Sequence, residues 1–232
     1  MAIPFQAVFP GVLEDAYQTE LQKFISDRTL ARLWDHHSSL WPAEEHQAES
    51  IKQNLRWLDL PKQIEDYMAR VVEHAEAARA SGLDHVVFVG MGGSKPAAAA
   101  LVNMRKPNVD KKIFVFDTTD PDALRALKAQ LPIERTLFVF ADKAGKRIEI
   151  HGLLLYFLDQ FKSAGLASPG QHFVALTEKG SYLATLAGQY KFRKAFFEPG
   201  IHGRFSGLIH FSLFLTGVFR VDKASRRVSI AW

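Results

Sequence analysis

The sequence predicts an α/β fold, a parallel sheet covered by helices on both faces, with an N-terminal helical extension. Three observations carry the prediction. Short runs rich in Val, Phe and Ile at 85–89, 112–116, 136–140 and 172–176 have the length and flanking residues of buried strands. Stretches at 95–103, 121–129, 148–164 and 182–189 between and after them read as helices. The first 80 residues hold helical spacing and no such strand run. Alternating strands and helices make parallel neighbours, and parallel strands are buried on both faces. The expected division is an extension over 1–80, packed on a ligand-binding domain over 81–232.

In the extension, residues 15–25 carry Ala16, Leu21, Phe24 and Ile25 at helical intervals. An aromatic piece from Leu33 to Trp41 follows, and Pro42 ends or kinks it. A charged helix at 44–54 leads to the corner Trp57-Leu58-Asp59-Leu60-Pro61. The helix expected over 61–81 sets Ile64, Met68, Val71, Val72 and Ala75 on one face, and Gly82 supplies its stop.

The first strand runs into Gly90-Met91-Gly92-Gly93-Ser94, after which Ser94 can cap a helix that has Pro96 in its first turn. Glycines let the backbone turn sharply and approach a ligand, and the helix start turns N–H groups and a positive dipole end toward an anion. Anion binding is favoured over a glycine turn that binds nothing. Lys95 stands where a dinucleotide fingerprint needs glycine, and the Gly-Lys-Ser/Thr of a nucleotide P-loop is absent. Thr119-Asp120-Pro121 marks another helix entry. Ligands of parallel sheets bind beyond the carboxyl ends of the strands, so 90–95, 117–119, 141–147 and 177–181 are the segments of interest.

Composition narrows the function classes. The chain has 232 residues, 47% hydrophobic and 23% charged, with a net charge of +4. No cysteine is present, which removes disulfide frameworks and thiolate zinc sites. The start Met1-Ala2-Ile3-Pro4-Phe5 is not a signal peptide, and the greasy stretch 208–219 is too short for a bilayer. A cytoplasmic protein without a membrane role is expected. Arg220, Lys223, Arg226 and Arg227 form a small basic patch, but most of the 18 phenylalanines sit in apolar runs, so no nucleic-acid partner is expected. Asp35, His36, His37, Glu44, Glu45 and His46 lack metal-ligand spacing, and neither a metal nor a cofactor is expected. His85 and His172 begin strands, and His151 and His210 read as packed helix residues. A Gly-x-Ser-x-Gly nucleophile elbow is missing.

Three stretches in order carry a family resemblance. Val89-Gly90-Met91-Gly92-Gly93-Ser94 resembles the first phosphate loop of glucose-6-phosphate isomerases and other sugar-isomerase (SIS) domains. The segment from Thr136 to Glu149 is similar to the family's Thr-Leu-Phe strand and its Ser-Lys-Thr-Phe-Thr-Thr-x-Glu loop. His202-Gly203-Arg204-Phe205-Ser206 resembles the Gly-Gly-Arg-Tyr/Phe-Ser signature. Upstream, Leu33 to Trp41 and Leu55-Arg56-Trp57-Leu58 are similar to the segment before the isomerase part of bifunctional transaldolase/glucose-6-phosphate isomerases. The likeness covers about residues 33 to 217.

The resemblance implies a flavodoxin-like three-layer SIS domain and a phosphorylated sugar as ligand. Gly92, Gly93, Ser94, Asp142, Lys143, Lys146 and Arg147 fall at its substrate-binding positions. Arg204 matches an arginine set beside a developing enediolate, where a fixed cation stabilises an oxyanion, and Glu149 matches the last loop residue. As an alternative, Glu149 is a dipole-stabilised surface carboxylate and Arg204 a loop-pinning ion pair. The family's hydroxyls give way here to Asp142, Ala144, Lys146 and Arg147, with Lys143 kept, and His202 replaces a glycine. Lys146 and Arg147 either neutralise the phosphate or are solvated loop charges, while Asp142 repels it. The family's glutamate base and ring-opening histidine and lysine lie in a second SIS domain and have no match before Trp232. Two readings follow: an isomerase subunit completed by a homodimer or a second SIS chain, or a non-catalytic sugar-phosphate module with a degenerate site.

Overall fold

The computed structural model describes residues 11–42, 44–92, 99, 112–197 and 214. They form two compact units that divide between Leu58 and Asp59. In the first, α1 (Val12–Ser26), α2 (Thr29–Trp34) and α3 (Glu45–Leu55) follow one another. Arg28, at φ 51°, turns the chain from α1 into α2. The Arg32 guanidinium then donates to the carbonyl and hydroxyl oxygens of Ser39 at 3.2 and 3.0 Å, tying α2 to the next turn. A capping box between Glu44 and Gln47 starts α3, satisfying donors that a helix start leaves free.

The second unit opens with α4 (Leu60–Ala80) and β1 (His85–Gly90). Then come β2 (Lys112–Phe116), α5 (Pro121–Lys128), β3 (Thr136–Ala141), α6 (Ile148–Ser163), β4 (Phe173–Thr177), α7 (Tyr182–Gln189) and β5 (Lys194–Phe197). The strands are parallel in the order β2-β1-β3-β4-β5. Register is set by pairs such as Val87 with Phe114 and Phe138, and Val139 with Val174. The expected four strands are present, and β5 joins them at the edge. Its four residues, beginning with Lys194, are too few and too mixed to read as a strand without the neighbour that pairs them. Strand β4 starts one residue later than expected because His172 closes the preceding turn, Pro169–His172. The helix expected over 95–103 lies outside the described residues.

Alternation along the strands sends side chains to opposite faces, and both faces are covered. On one, Val86, Phe88, Leu137, Val139, Ala141, Val174 and Leu176 pack with Leu60, Val71 and Ala78 of α4. The helical period expected for this segment thus places Val71 inward, and α4 is part of the sheet's own core. On the other face, Val87, Val89, Phe138, Phe140 and Phe173 meet α5, α6 and α7. Helix α6 supplies most of that layer through Ile150, Leu153, Leu154, Phe157, Leu158 and Phe161. Each such buried side chain contributes roughly 1.5–3 kcal/mol of transfer free energy.

Beneath this layer His172 Nδ1 lies 3.1 Å from the Thr136 carbonyl oxygen, and its ring tilts on Phe161 at 4.7 Å. Burial pushes its pKa below the ordinary 6.5; the Thr136 contact opposes this and Arg193 reinforces it. The unfolded chain therefore binds the proton more readily, so stability is full above about pH 6.5 and declines as pH falls from there toward the folded-state pKa. Urea midpoints measured across that window are expected to slope downward with acid. In His172→Gln the part of the slope due to this group should vanish.

Candidate functional site

Strand order reverses between β1 and β3, the place where a parallel sheet opens a crevice for ligands. Gly90 and Ala141 are paired at the carboxyl ends of these strands, so the chain leaves both strands side by side at the same edge of the sheet. The β1 side contributes Met91 and Gly92. Gly92 has φ 68°, a left-handed conformation that favours glycine, and a Cβ there would lie 3.1 Å from Arg147 Nη2. The Arg147 guanidinium therefore lies against the β1 turn. Its side chain is half exposed.

The β3 side is held more firmly. The Asp142 amide donates to the Leu176 carbonyl at 3.1 Å, and its own carbonyl accepts from Gly145 N at 3.2 Å and from the Thr177 hydroxyl at 2.6 Å. The Thr177 and Ser181 hydroxyls are 2.7 Å apart, and Ser181 Oγ accepts from Ala184 N as the cap of α7. Lys143 returns a carbonyl to Glu178 N at 2.8 Å and brings its ammonium within 3.4 Å of Glu178 Oε1. Gly145, at φ 62°, fits against Ser181. Asp142 is only 3% exposed. Its Oδ2 accepts the Arg147 amide at 2.8 Å, and Oδ1 stands 3.9 Å from Arg147 Nε.

Arg147 is the residue just before α6, and its own side chain makes no capping hydrogen bond there. The Asp142 carboxylate instead accepts the amide of Arg147 itself, one of the donors a helix start leaves free, and the positive end of the helix dipole favours its negative charge. The expected site residues thus separate by position. Gly92, Asp142 and Arg147 come together in the crevice. Lys143 is turned into a pair with Glu178. Lys146 is exposed on the loop, and Glu149 is exposed in the first turn of α6. Gly93, Ser94 and Arg204 lie outside the described residues, as do His202 and His210.

Thr177, Glu178 and Ser181 brace the β3 loop from the β4 loop, a role that sequence reasoning did not assign to them. In the sequence only the position of their segment at the end of a strand distinguishes it. His151, one turn into α6, meets Tyr182 edge to face at 4.8 Å, and its buried Nε2 has no hydrogen-bond partner. Among the described residues there is no group of three or more His, Asp or Glu placed to hold a metal ion. None of the helices described is long and apolar enough to cross a membrane.

No protein-family model matches the chain. It is 30% identical to the glucose-6-phosphate isomerase of Campylobacter jejuni over 125 residues, which are 53% of this chain and 30% of that protein. It is 28% identical to the glucose-6-phosphate isomerase of Treponema pallidum over 174 residues, 66% of this chain and 32% of the relative. The chain thus spans about a third of the length of these curated relatives. Among solved structures, hypothetical protein TT0462 from Thermus thermophilus superposes with a TM-score of 0.69 at 25% identity, covering 90% of this chain and 46% of that one. A glucose-6-phosphate isomerase from Chlamydia trachomatis gives 0.56 at 24% identity, covering 79% and 35%. In sequence the chain is similar to glucose-6-phosphate isomerases, and its parallel sheet covered on both faces has the sugar-isomerase (SIS) fold.

Proposed function

We propose that the chain is a sugar-isomerase-type module that binds a phosphorylated sugar in the β1/β3 crevice, with the phosphate on Arg147 and the Gly92-Gly93-Ser94 turn. The observation that supports this most is the half-exposed Arg147 guanidinium set against Gly92 at the sheet's switch point. A planar cation there can make two parallel hydrogen bonds to a phosphate, and the glycine keeps the approach open. Lys146 adds positive charge at the rim, and Arg204 and Glu149 are the candidates for the reacting end of the sugar. Proton transfer between C1 and C2 needs a further positioned base, so in this reading isomerisation draws on a second SIS domain, such as that of a second copy or another SIS chain. The setting is the cytoplasm, in glycolytic or gluconeogenic sugar-phosphate metabolism.

A second reading, a binding or regulatory module without catalysis, draws support from Asp142. Its buried carboxylate sits at the start of α6, in a loop that resembles one with hydroxyls in that position. One pair of measurements separates the readings. Calorimetric titration with fructose 6-phosphate should detect binding to the chain, weakened by roughly tenfold to a hundredfold in Arg147→Ala, the loss of one or two charge-assisted hydrogen bonds. Unaltered affinity in that variant would remove the phosphate from this crevice. Isomerase turnover should be absent from the chain alone; its appearance on mixing with a partner SIS chain would select the subunit reading.

A further inference from the structure

The charge balance of this crevice is unusual in one respect: a protein carboxylate stands where an incoming anion would be received. We infer that Asp142 is a resident anion that occupies the start of α6 and competes with a phosphate ester for Arg147, so that this one residue sets how tightly the crevice takes its ligand. The inference rests on the phosphate-binding reading given above. Three observations converge on it. The carboxylate is almost fully buried and accepts the amide that opens a helix of 16 residues. Among the described residues it is the carboxylate that approaches the Arg147 guanidinium, at 3.9 Å from Nε. Its backbone is held by Leu176 and Thr177, and its carboxylate by the Arg147 amide at 2.8 Å.

Electrostatics then sets the direction. A phosphate monoester is close to a dianion at neutral pH, and it gains from Arg147 and from the helix dipole. Asp142 opposes both gains, and solvent and salt screen a buried charge poorly. The other cation of the loop that is partly buried, Lys143, is already paired with Glu178 and offers little compensation. Removing the charge while keeping the oxygen acceptor should leave the helix start intact and free the guanidinium. Asparagine does this, because its side-chain carbonyl can still accept the Arg147 amide.

The test is titration of the full chain and of Asp142→Asn with inorganic phosphate and with fructose 6-phosphate, together with thermal unfolding. The expected result is binding about tenfold or more tighter in the variant, the effect of one nearby charge, with the gain cancelled in Asp142→Asn/Arg147→Gln. Asp142→Ser, which keeps a short oxygen acceptor, serves if the asparagine variant unfolds. Binding by the parent chain with equal or weaker affinity in the variant would overturn the inference and leave the proposed function standing. A silent parent with a binding variant would support the inference and overturn that function for the native sequence. Silence from both would overturn both, and loss of fold in both substitutions would make the carboxylate purely structural and overturn the inference.

Discussion

Replacing Gly145 by alanine is expected to destabilise the sheet unit by about 2–4 kcal/mol and to abolish the anion binding proposed for the crevice. Two effects add. At φ 62° an alanine meets a steric penalty of roughly 1–2 kcal/mol that glycine does not. Its Cβ would also fall 2.6 Å from Ser181 Cβ, 2.8 Å from Ser181 Oγ and 3.0 Å from the Leu183 amide nitrogen, closer than van der Waals contact allows. Ser181 has little room to give, since its hydroxyl caps α7 and meets Thr177. The loop must move instead, and with it the turn that sets Asp142 and Arg147. Urea unfolding gives the stability, and titration with fructose 6-phosphate gives the second effect. A variant as stable as the parent would show that the loop and Ser181 separate without penalty.

Phe138→Ala should cost about 3–5 kcal/mol, the range for deleting a large aromatic from a packed core. Phe138 is fully buried in the middle of β3. Its ring centroid is 4.2 Å from that of Phe157, 5.7 Å from Phe173 and 5.9 Å from Phe161, so the deletion removes the centre of an aromatic cluster joining β3, β4 and α6. Offset and edge-on ring pairs of this kind add to the transfer free energy of the ring itself. The expected signature is a large drop in the urea midpoint, with a slope close to the parent's if unfolding stays two-state. A loss below about 1 kcal/mol would mean that α6 collapses into the space, and that the layer is less rigid than its packing suggests.

These two positions show where chain-local information stops. The runs at 85–89 and 136–140 announce buried strands because Val, Phe and Leu recur without a polar break. The turn residues after them place the crevice at the carboxyl ends by topology alone. The helices at 121–129 and 148–164 are equally legible: Asp120 and Pro121 are start signals, and Asp120 indeed accepts from Asp122 N and Ala123 N. In contrast, β5 exists only because β4 offers it hydrogen-bond partners over Val174 to Thr177. The brace of Thr177, Glu178 and Ser181 likewise depends on the β3/β4 register, which sets two loops some 35 residues apart side by side.

By itself the sequence determined the α/β alternation, the buried strands and the glycine turn beyond β1, since these follow from residue type and from periods of two and 3.6 residues. It also brought Asp142, Lys143, Lys146 and Arg147 onto one loop as a set of charges without an arrangement. Tertiary structure decided what each charge does. Pairing of β1 with β3 sets Arg147 against Gly92, pairing of β3 with β4 commits Lys143 to Glu178, and the turn between β3 and α6 buries Asp142 on the Arg147 amide. The reason is physical: an ionic contact depends on distance and burial, and neither is defined until strands remote in the chain have settled into register.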